Sequence, residues 1–285
     1  MRKRIFTWQH TSIGLVLLAL ILTSACLATE KPQTPVEAGK VASAGGYANP
    51  DAVVSAEWLS SRLDEPHIKV IEVGSSKAGY EEHIPGAVYV DWRLDIADPH
   101  SQVENMVASK ERIEGLLSRL GINRDDTIVV YDLNGNVLAG RMYWVLKYYG
   151  HRDVRFLNGG KRLWTEKGLP LSKEEPAPEA AAYSIEAMNP EYRVTWDYVK
   201  EALDNPDVVI VDVRSKEEYT GEKALAKRGG HIPGAVNVYW KQTLNDDGTL
   251  KQAGELQKLY ESSVATGDKE VLVYCHSGVR SAYTW

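Results

Sequence analysis

Short apolar runs recur along the chain at lengths that fit strands. Val70-Ile71-Glu72-Val73, Thr127-Ile128-Val129-Val130-Tyr131, Val154-Arg155-Phe156-Leu157, Ile210-Val211-Asp212-Val213 and Glu270-Val271-Leu272-Val273-Tyr274 each have the character of a strand buried in a parallel sheet. Val54-Ser55 before Glu57-Trp58-Leu59, and Val194-Thr195 before Asp197-Tyr198-Val199, each predict a short strand entering a capped helix. The stretch Arg280 to Trp285 reads as the opening of another helix.

These elements come in the same order twice. Val70–Val73 matches Ile210–Val213, and Thr127–Tyr131 matches Glu270–Tyr274. Tyr80 with His83-Ile84-Pro85-Gly86-Ala87-Val88 matches Tyr219 with His231-Ile232-Pro233-Gly234-Ala235-Val236. Strands alternating with helices predict an α/β fold, with one mainly parallel sheet flanked by helices in each half.

The polar segments set the boundaries. Residues 1–25 read as a targeting signal: Arg2, Lys3 and Arg4 precede the apolar stretch Ile13 to Leu22, which falls well short of the ~20 residues a spanning helix needs. Thr23-Ser24-Ala25-Cys26 follows and resembles the lipobox of bacterial lipoproteins, in which the cysteine is diacylated; Leu22 stands one place farther from the cysteine than the usual leucine. The resemblance implies a lipid on Cys26 and a membrane-anchored lipoprotein. Ordinary cleavage without lipid is the alternative, and both predict export to a periplasmic or other extracytoplasmic space. Residues 26–49, with Pro32, Pro35, Gly39, Gly45 and Gly46, have the composition of a flexible tether. Residues 50–172 form a first domain, 173–190 an interdomain linker around Lys173-Glu174-Glu175-Pro176-Ala177-Pro178, and 191–285 a second domain.

Composition changes the picture in two places. A length of 285 residues leaves room for two domains, and a net charge of −6 with no basic run beyond the N-terminus argues against nucleic acid as a partner. The chain has 2 cysteines, Cys26 and Cys275, so lipidation of the first leaves Cys275 unable to form an intramolecular disulfide. A lone thiol in an exported protein is unusual, with burial as a small apolar residue its plain alternative.

The duplicated strand–HIPGA–strand plan, VDVR in the second half and VYCHSGVRSAYTW at the end resemble the two-domain rhodanese-like sulfurtransferases, from about Val53 to the last residue. The resemblance implies two rhodanese-like domains, the first non-catalytic and the second catalytic. It also implies a cysteine nucleophile and neither metal nor organic cofactor. In the first half Trp144 is followed by the strand Val154–Leu157 and by Gly159-Gly160, whereas the second half stops at Trp285, the equivalent place. The expectation is a C-terminally truncated form of a longer protein. A short natural variant is the alternative, and it would leave a sheet edge and a helix groove uncovered.

Cys275 stands where a strand ends, the place where open α/β sheets bind ligands. A six-residue loop from Cys275 to Arg280 can turn its N–H groups inward, and with the helix N-terminus it makes an anion cradle that favours a thiolate and a persulfide anion. Gly278 permits a backbone conformation a side chain opposes, and Arg280 adds a positive charge suited to sulfonate or sulfite oxygens. Cysteine phosphatases place one more residue between cysteine and arginine than His276, Ser277, Gly278 and Val279 supply here, so this ring suits one sulfur atom better than a phosphate. The first half has Asp132 at the position of Cys275, in the longer loop DLNGNVLAGR, and an aspartate holds no persulfide. Arg141, at the end of that loop, is expected to form a structural salt bridge, with substrate contact the alternative.

Asp212 and Arg214 end a strand close to the loop. The resemblance implies that Arg214 lines the active-site entrance, while a charge pair bracing the loop is the equal alternative. Glu218 stands where some relatives carry a second substrate arginine, which leaves Arg280 more of the anion binding. His83 and His231 occur in both halves, favouring a shared structural role, and His276 is expected to face the entrance. Ser277 resembles the serine of mercaptopyruvate-specific loops and Arg280 the arginine of thiosulfate-type loops. The implied partners are therefore a small sulfur-donor anion, thiosulfate or mercaptopyruvate, and cyanide or a thiol as acceptor. A non-catalytic tethered sulfur carrier or anion-binding module is the competing reading. Trp144, Trp285 and the other tryptophans and tyrosines at matching helix positions are expected in the core.

Overall fold

The computed structural model describes residues 46–133 and 135–285. The signal-like segment, the Cys26 lipidation site and the tether up to residue 45 lie outside the described residues. In the first half β1 (Val53–Val54) enters α1 (Ala56–Ser60), followed by β2 (Ile68–Gly74), β3 (Val88–Asp91), α2 (Lys110–Arg119), β4 (Thr127–Tyr131), α3 (Val137–Tyr148), β5 (Val154–Leu157) and α4 (Gly160–Glu166). The second half contains α5 (Trp196–Ala202), β6 (Val208–Asp212), α6 (Lys216–Thr220), β7 (Val236–Asn237), α7 (Ala253–Glu261), β8 (Glu270–Tyr274) and α8 (Val279–Thr284). Among the described residues no helix is long and apolar enough to cross a membrane.

The first sheet has the order β1-β5-β4-β2-β3 and the second β7-β6-β8, with every pairing parallel. The predicted α/β class with helix-flanked parallel sheets is the fold observed. The repeat holds at the level of register. β2 pairs with β4 from Ile68↔Thr127 to Glu72↔Tyr131, and β6 with β8 from Val208↔Glu270 to Asp212↔Tyr274. The residues that follow these strands, Asp132 and Cys275, therefore leave their sheets at the same level. Both predicted caps form, because an exposed N–H in the first turn needs an acceptor: Ser55 accepts from the Trp58 N–H at 3.1 Å and Thr195 from the Tyr198 N–H at 3.3 Å.

Two expectations fail in the second half for one reason. Val194 forms no strand, and Trp285 and Tyr198, 44% and 41% exposed, are not in the core. In the first half β1 is held by β5, through Val53↔Phe156 and Val54↔Leu157. Among the described residues no strand flanks β8 on its outer side, so Val194 has no ladder partner and Trp285 stays half exposed, with its ring 4.5 Å from that of Tyr192. Trp144, by contrast, is buried and stacks on Tyr148.

The halves join where α3 meets α8. Val279 and Ala282 of α8 belong to the core of the first half, while Val137 of α3 packs against the core cluster of the second, which includes Val211 and Val213. The approach is close at Gly140: a Cβ there would lie 2.6 Å from the Cα of Tyr283, a distance no side chain tolerates. This contact fixes α8, and with it the loop that β8 delivers.

Candidate active site

Cys275 is the residue immediately after β8, and α8 starts four residues later, so the intervening turn is tight. Gly278 makes it possible with φ at +74°, a conformation in which a Cβ would clash with the following carbonyl. The Ser281 N–H donates to the Cys275 sulfur at 3.4 Å, and the Ser281 hydroxyl lies 3.6 Å from the same atom. The N–H and the hydroxyl of one residue in the first turn of α8 thus converge on Sγ. Ser281 escaped the reading of the sequence. Its signal was positional, in the first helical turn after the loop, where a hydroxyl and an N–H can point back at the preceding strand end.

The first half has a matching contact. The Asp132 carboxylate accepts from the Asn136 N–H at 2.8 Å and from the Leu138 and Ala139 N–H groups at 2.7 and 3.3 Å. The Leu138 N–H, six positions after Asp132, takes the place that the Ser281 N–H takes six positions after Cys275.

Arg280 reaches back to α6 and makes a two-pronged ion pair with buried Glu218, Nη1–Oε2 2.6 Å and Nη2–Oε1 3.0 Å. Glu218 is set in place by a reciprocal cap with Ser215. The Arg280 hydrogen bonds hold the Glu218 carboxyl below the usual carboxylate range despite its burial. The guanidinium also interacts electrostatically with Cys275. Its plane is fixed by the carboxylate and its charge partly offset there, so the departure at Glu218 is itself what positions Arg280.

Asp212, fully buried, accepts from Arg214 Nε at 2.9 Å and Nη2 at 2.5 Å and from the Tyr274 hydroxyl at 2.7 Å, while Arg214 Nη2 also donates to the Gly230 carbonyl. Of the two arrangements open to Arg214, the bracing charge pair is the one formed. Burial, with the Asp212 carboxylate adding to it, pushes the Tyr274 hydroxyl well above its ordinary titration range, so it stays a donor. The first half repeats this motif: the Tyr131 hydroxyl donates to Glu72 at 2.6 Å and accepts from the Ile84 N–H, as Tyr274 accepts from the Ile232 N–H.

His83 and His231 take the same place in both halves. Each ring stacks on its tyrosine, Tyr80 or Tyr219, and bonds that tyrosine's carbonyl through Nδ1 at 3.0 and 2.8 Å. That is a turn-bracing role. His276 is exposed, and with Ser277 and Gly278 it lines a cavity of about 600 Å³ beside β8 that Cys275 does not line. Val279 is buried in the core cluster of the first half. Among the described residues no cluster of three or more His, Cys, Asp or Glu could hold a metal ion.

Arg141 corrects an expectation. It forms no salt bridge among the described residues; its Nη2 donates to the Asn105 carbonyl at 2.8 Å and its Nη1 to the Gly278 carbonyl at 3.4 Å. A residue from the first half therefore supports the cysteine loop of the second, a contact that only the packing of α3 on α8 creates.

A parallel α/β sheet that ends in a cysteine approached by a helical N–H, beside a second sheet that ends in an aspartate at the same register, defines a tandem α/β protein. The profile of the rhodanese-like domain matches residues 55–167 and 195–285. The chain is 39% identical over 252 residues to a sulfur carrier protein of Thermus thermophilus, covering 84% of this chain and 87% of that one. It is 40% identical over 248 residues to a Haloferax volcanii protein provisionally named a thiosulfate sulfurtransferase, covering 82% and 85%. The crystal structure of a 3-mercaptopyruvate sulfurtransferase from Escherichia coli superposes with a TM-score of 0.71 at 32% identity, covering 81% of this chain and 91% of that one. This chain belongs to the rhodanese-like family of sulfurtransferases.

Proposed function

We propose that this chain transfers sulfane sulfur from thiosulfate to cyanide or a thiol through a persulfide on Cys275. The Cys275 thiolate attacks the outer sulfur of thiosulfate, the S–S bond of the donor breaks, and sulfite leaves with the bonding pair. The new Cys275 persulfide carries its negative charge on the terminal sulfur. Cyanide or a thiolate then attacks that sulfur, and the Cys275 thiolate leaves. No metal or organic cofactor takes part. The observation that carries this reading is the convergence of the Ser281 N–H and hydroxyl on the Cys275 sulfur, at the level where the first half holds a carboxylate.

The preference for thiosulfate over mercaptopyruvate rests on Arg280, whose guanidinium is oriented beside the sulfur; Ser277 supports mercaptopyruvate as the alternative donor. The signal-like N-terminus and the lipobox-like run ending at Cys26 support a reaction outside the cytoplasm on a lipid-anchored protein. A second reading, a sulfur carrier that passes its persulfide to a partner, is favoured by the partial neutralisation of Arg280 by Glu218, which weakens the field on a free dianion. Incubating the protein with thiosulfate should add the mass of one sulfur atom to the Cys275 peptide, and added cyanide should then yield thiocyanate. Cys275→Ser should do neither; thiocyanate formation by the serine variant overturns the assignment. A persulfide without turnover to cyanide or small thiols favours the carrier.

A further inference from the structure

The sulfur site contains three arginines, and they are not equivalent. Arg280 is matched by Glu218 and Arg214 by Asp212, each through two nitrogens. Arg141 has only backbone carbonyls. It is 6% exposed, and its Nε is buried with no hydrogen-bond partner. A buried guanidinium without an anion is costly, and chains keep such a charge where an anion compensates it.

The surroundings narrow the choice of anion. Glu104, Glu191, Arg193 and Glu270 line the cavity beside Arg141, but among the described residues no carboxylate is within ion-pair distance of it. On the other side lies the cysteine loop: Nη1 bonds the Gly278 carbonyl, and a Cβ on Gly278 would sit 3.1 Å from the same nitrogen. The guanidinium also stands over the Trp144 ring at 5.1 Å, which holds its plane. The groups around Cys275 itself are Arg280 with Glu218 from α6, the Asp212–Arg214–Tyr274 set from β6 and β8, exposed His276, and Arg141 from α3. Of these cations, Arg141 is the one with no carboxylate of its own.

We propose that Arg141 is a cross-domain positioning residue that stabilises the anionic sulfur of Cys275, as thiolate and as persulfide, by placing an uncompensated buried charge beneath the loop. The silent half thereby contributes to the chemistry of the other half through α3. Desolvation lowers the Arg141 pKa to about 10 while the Cys275 charge opposes that fall, consistent with the two groups acting on each other. The proposal rests on Cys275 being the sulfur-carrying nucleophile.

The test is alkylation of Cys275 by iodoacetamide in the full chain, followed on its own peptide by mass spectrometry so that Cys26 does not interfere. A neutral alkylating agent reports the reactive anion and needs no sulfur donor. Arg141→Met should slow alkylation about tenfold near pH 6 relative to wild type, with the gap closing toward about pH 9, where most thiols ionise unaided. Arg141→Lys, which keeps the charge, should stay within about threefold of wild type. If Arg141→Met fails to give a cooperative melt, Arg141→Gln, which retains an amide donor for Asn105, carries the same comparison. Equal rates near pH 6, a loss of the same size at both pH values, or a lysine variant as slow as the methionine variant each overturn the proposal. A failure of thiocyanate production by wild type bears on the proposed reaction and leaves this result intact.

Discussion

Removing Arg280 should destabilise the second half measurably, and the geometry sets the size. The Arg280 and Glu218 side chains are 20% and 4% exposed, between a surface pair and a buried one. Exposed pairs are worth ~0.2–1 kcal/mol, and breaking a fully buried pair costs ~3–5 kcal/mol because one charge is left stranded. A fifth of the Arg280 side chain meets water, so water entering its place can partly hydrate the Glu218 carboxylate, and Arg280→Ala should cost about 2 kcal/mol. Glu218→Ala should cost about 1 kcal/mol more, since the Ser215 cap loses its partner as well. The double variant strands no charge, so its cost should fall below the sum of the singles by ~1–2 kcal/mol. Urea unfolding at neutral pH measures all four points of the cycle. The pair also fixes a pH dependence. Glu218 titrates lower in the folded chain than its ordinary value of 4.5. The unfolded state therefore binds the proton first, and the stabilisation is complete above that value and lost as pH falls through the folded one. Arg280→Ala should flatten that acid limb. Additivity of the two single variants within about 0.5 kcal/mol, with an unchanged acid limb, would refute the reasoning.

Further outcomes test the site and its setting. Arg280→Ala should lower kcat/KM for thiosulfate at least about tenfold, ~1.4 kcal/mol of transition-state stabilisation, and lower it less for mercaptopyruvate. Ser277→Ala should show the opposite order, and equal losses for both donors would mean that Arg280 only shapes the loop. Gly140→Leu should cost at least ~1–3 kcal/mol and slow sulfur transfer together, because its Cβ would fall 2.6 Å from the Cα of Tyr283 and displace the helix that carries Ser281. Wild-type kinetics in that variant would separate the α3–α8 contact from the site. Cys26→Ala should release the protein from the membrane fraction, and unchanged fractionation with an unchanged mature mass would defeat the lipid anchor.

The sequence alone determined the α/β class, the duplication and the position of Cys275, because each is encoded locally. A strand of a parallel sheet is a continuous apolar run, and a capped helix announces itself within four residues. A cysteine between such a strand and such a helix has one place to go. The matching registers of β2 with β4 and β6 with β8 carry that local information into the sheets.

What the tertiary structure decided was everything that depends on which residue meets which across the chain. Whether Arg214 braces or binds was undecidable from VDVR, since both roles need the same residue at the strand end; the Tyr274 hydroxyl and the Gly230 carbonyl resolve it toward bracing. Val194 looks like Val54, yet a strand exists only through its neighbour, and β5 supplies one to Val54 alone. Arg280 and Glu218 are 62 positions apart, and Arg141 and Gly278 are 137 apart. Electrostatic partnership at such separations leaves no periodic trace in a sequence. It arises when α3 and α8 pack at Gly140, where the absence of a side chain lets one half reach the cysteine loop of the other.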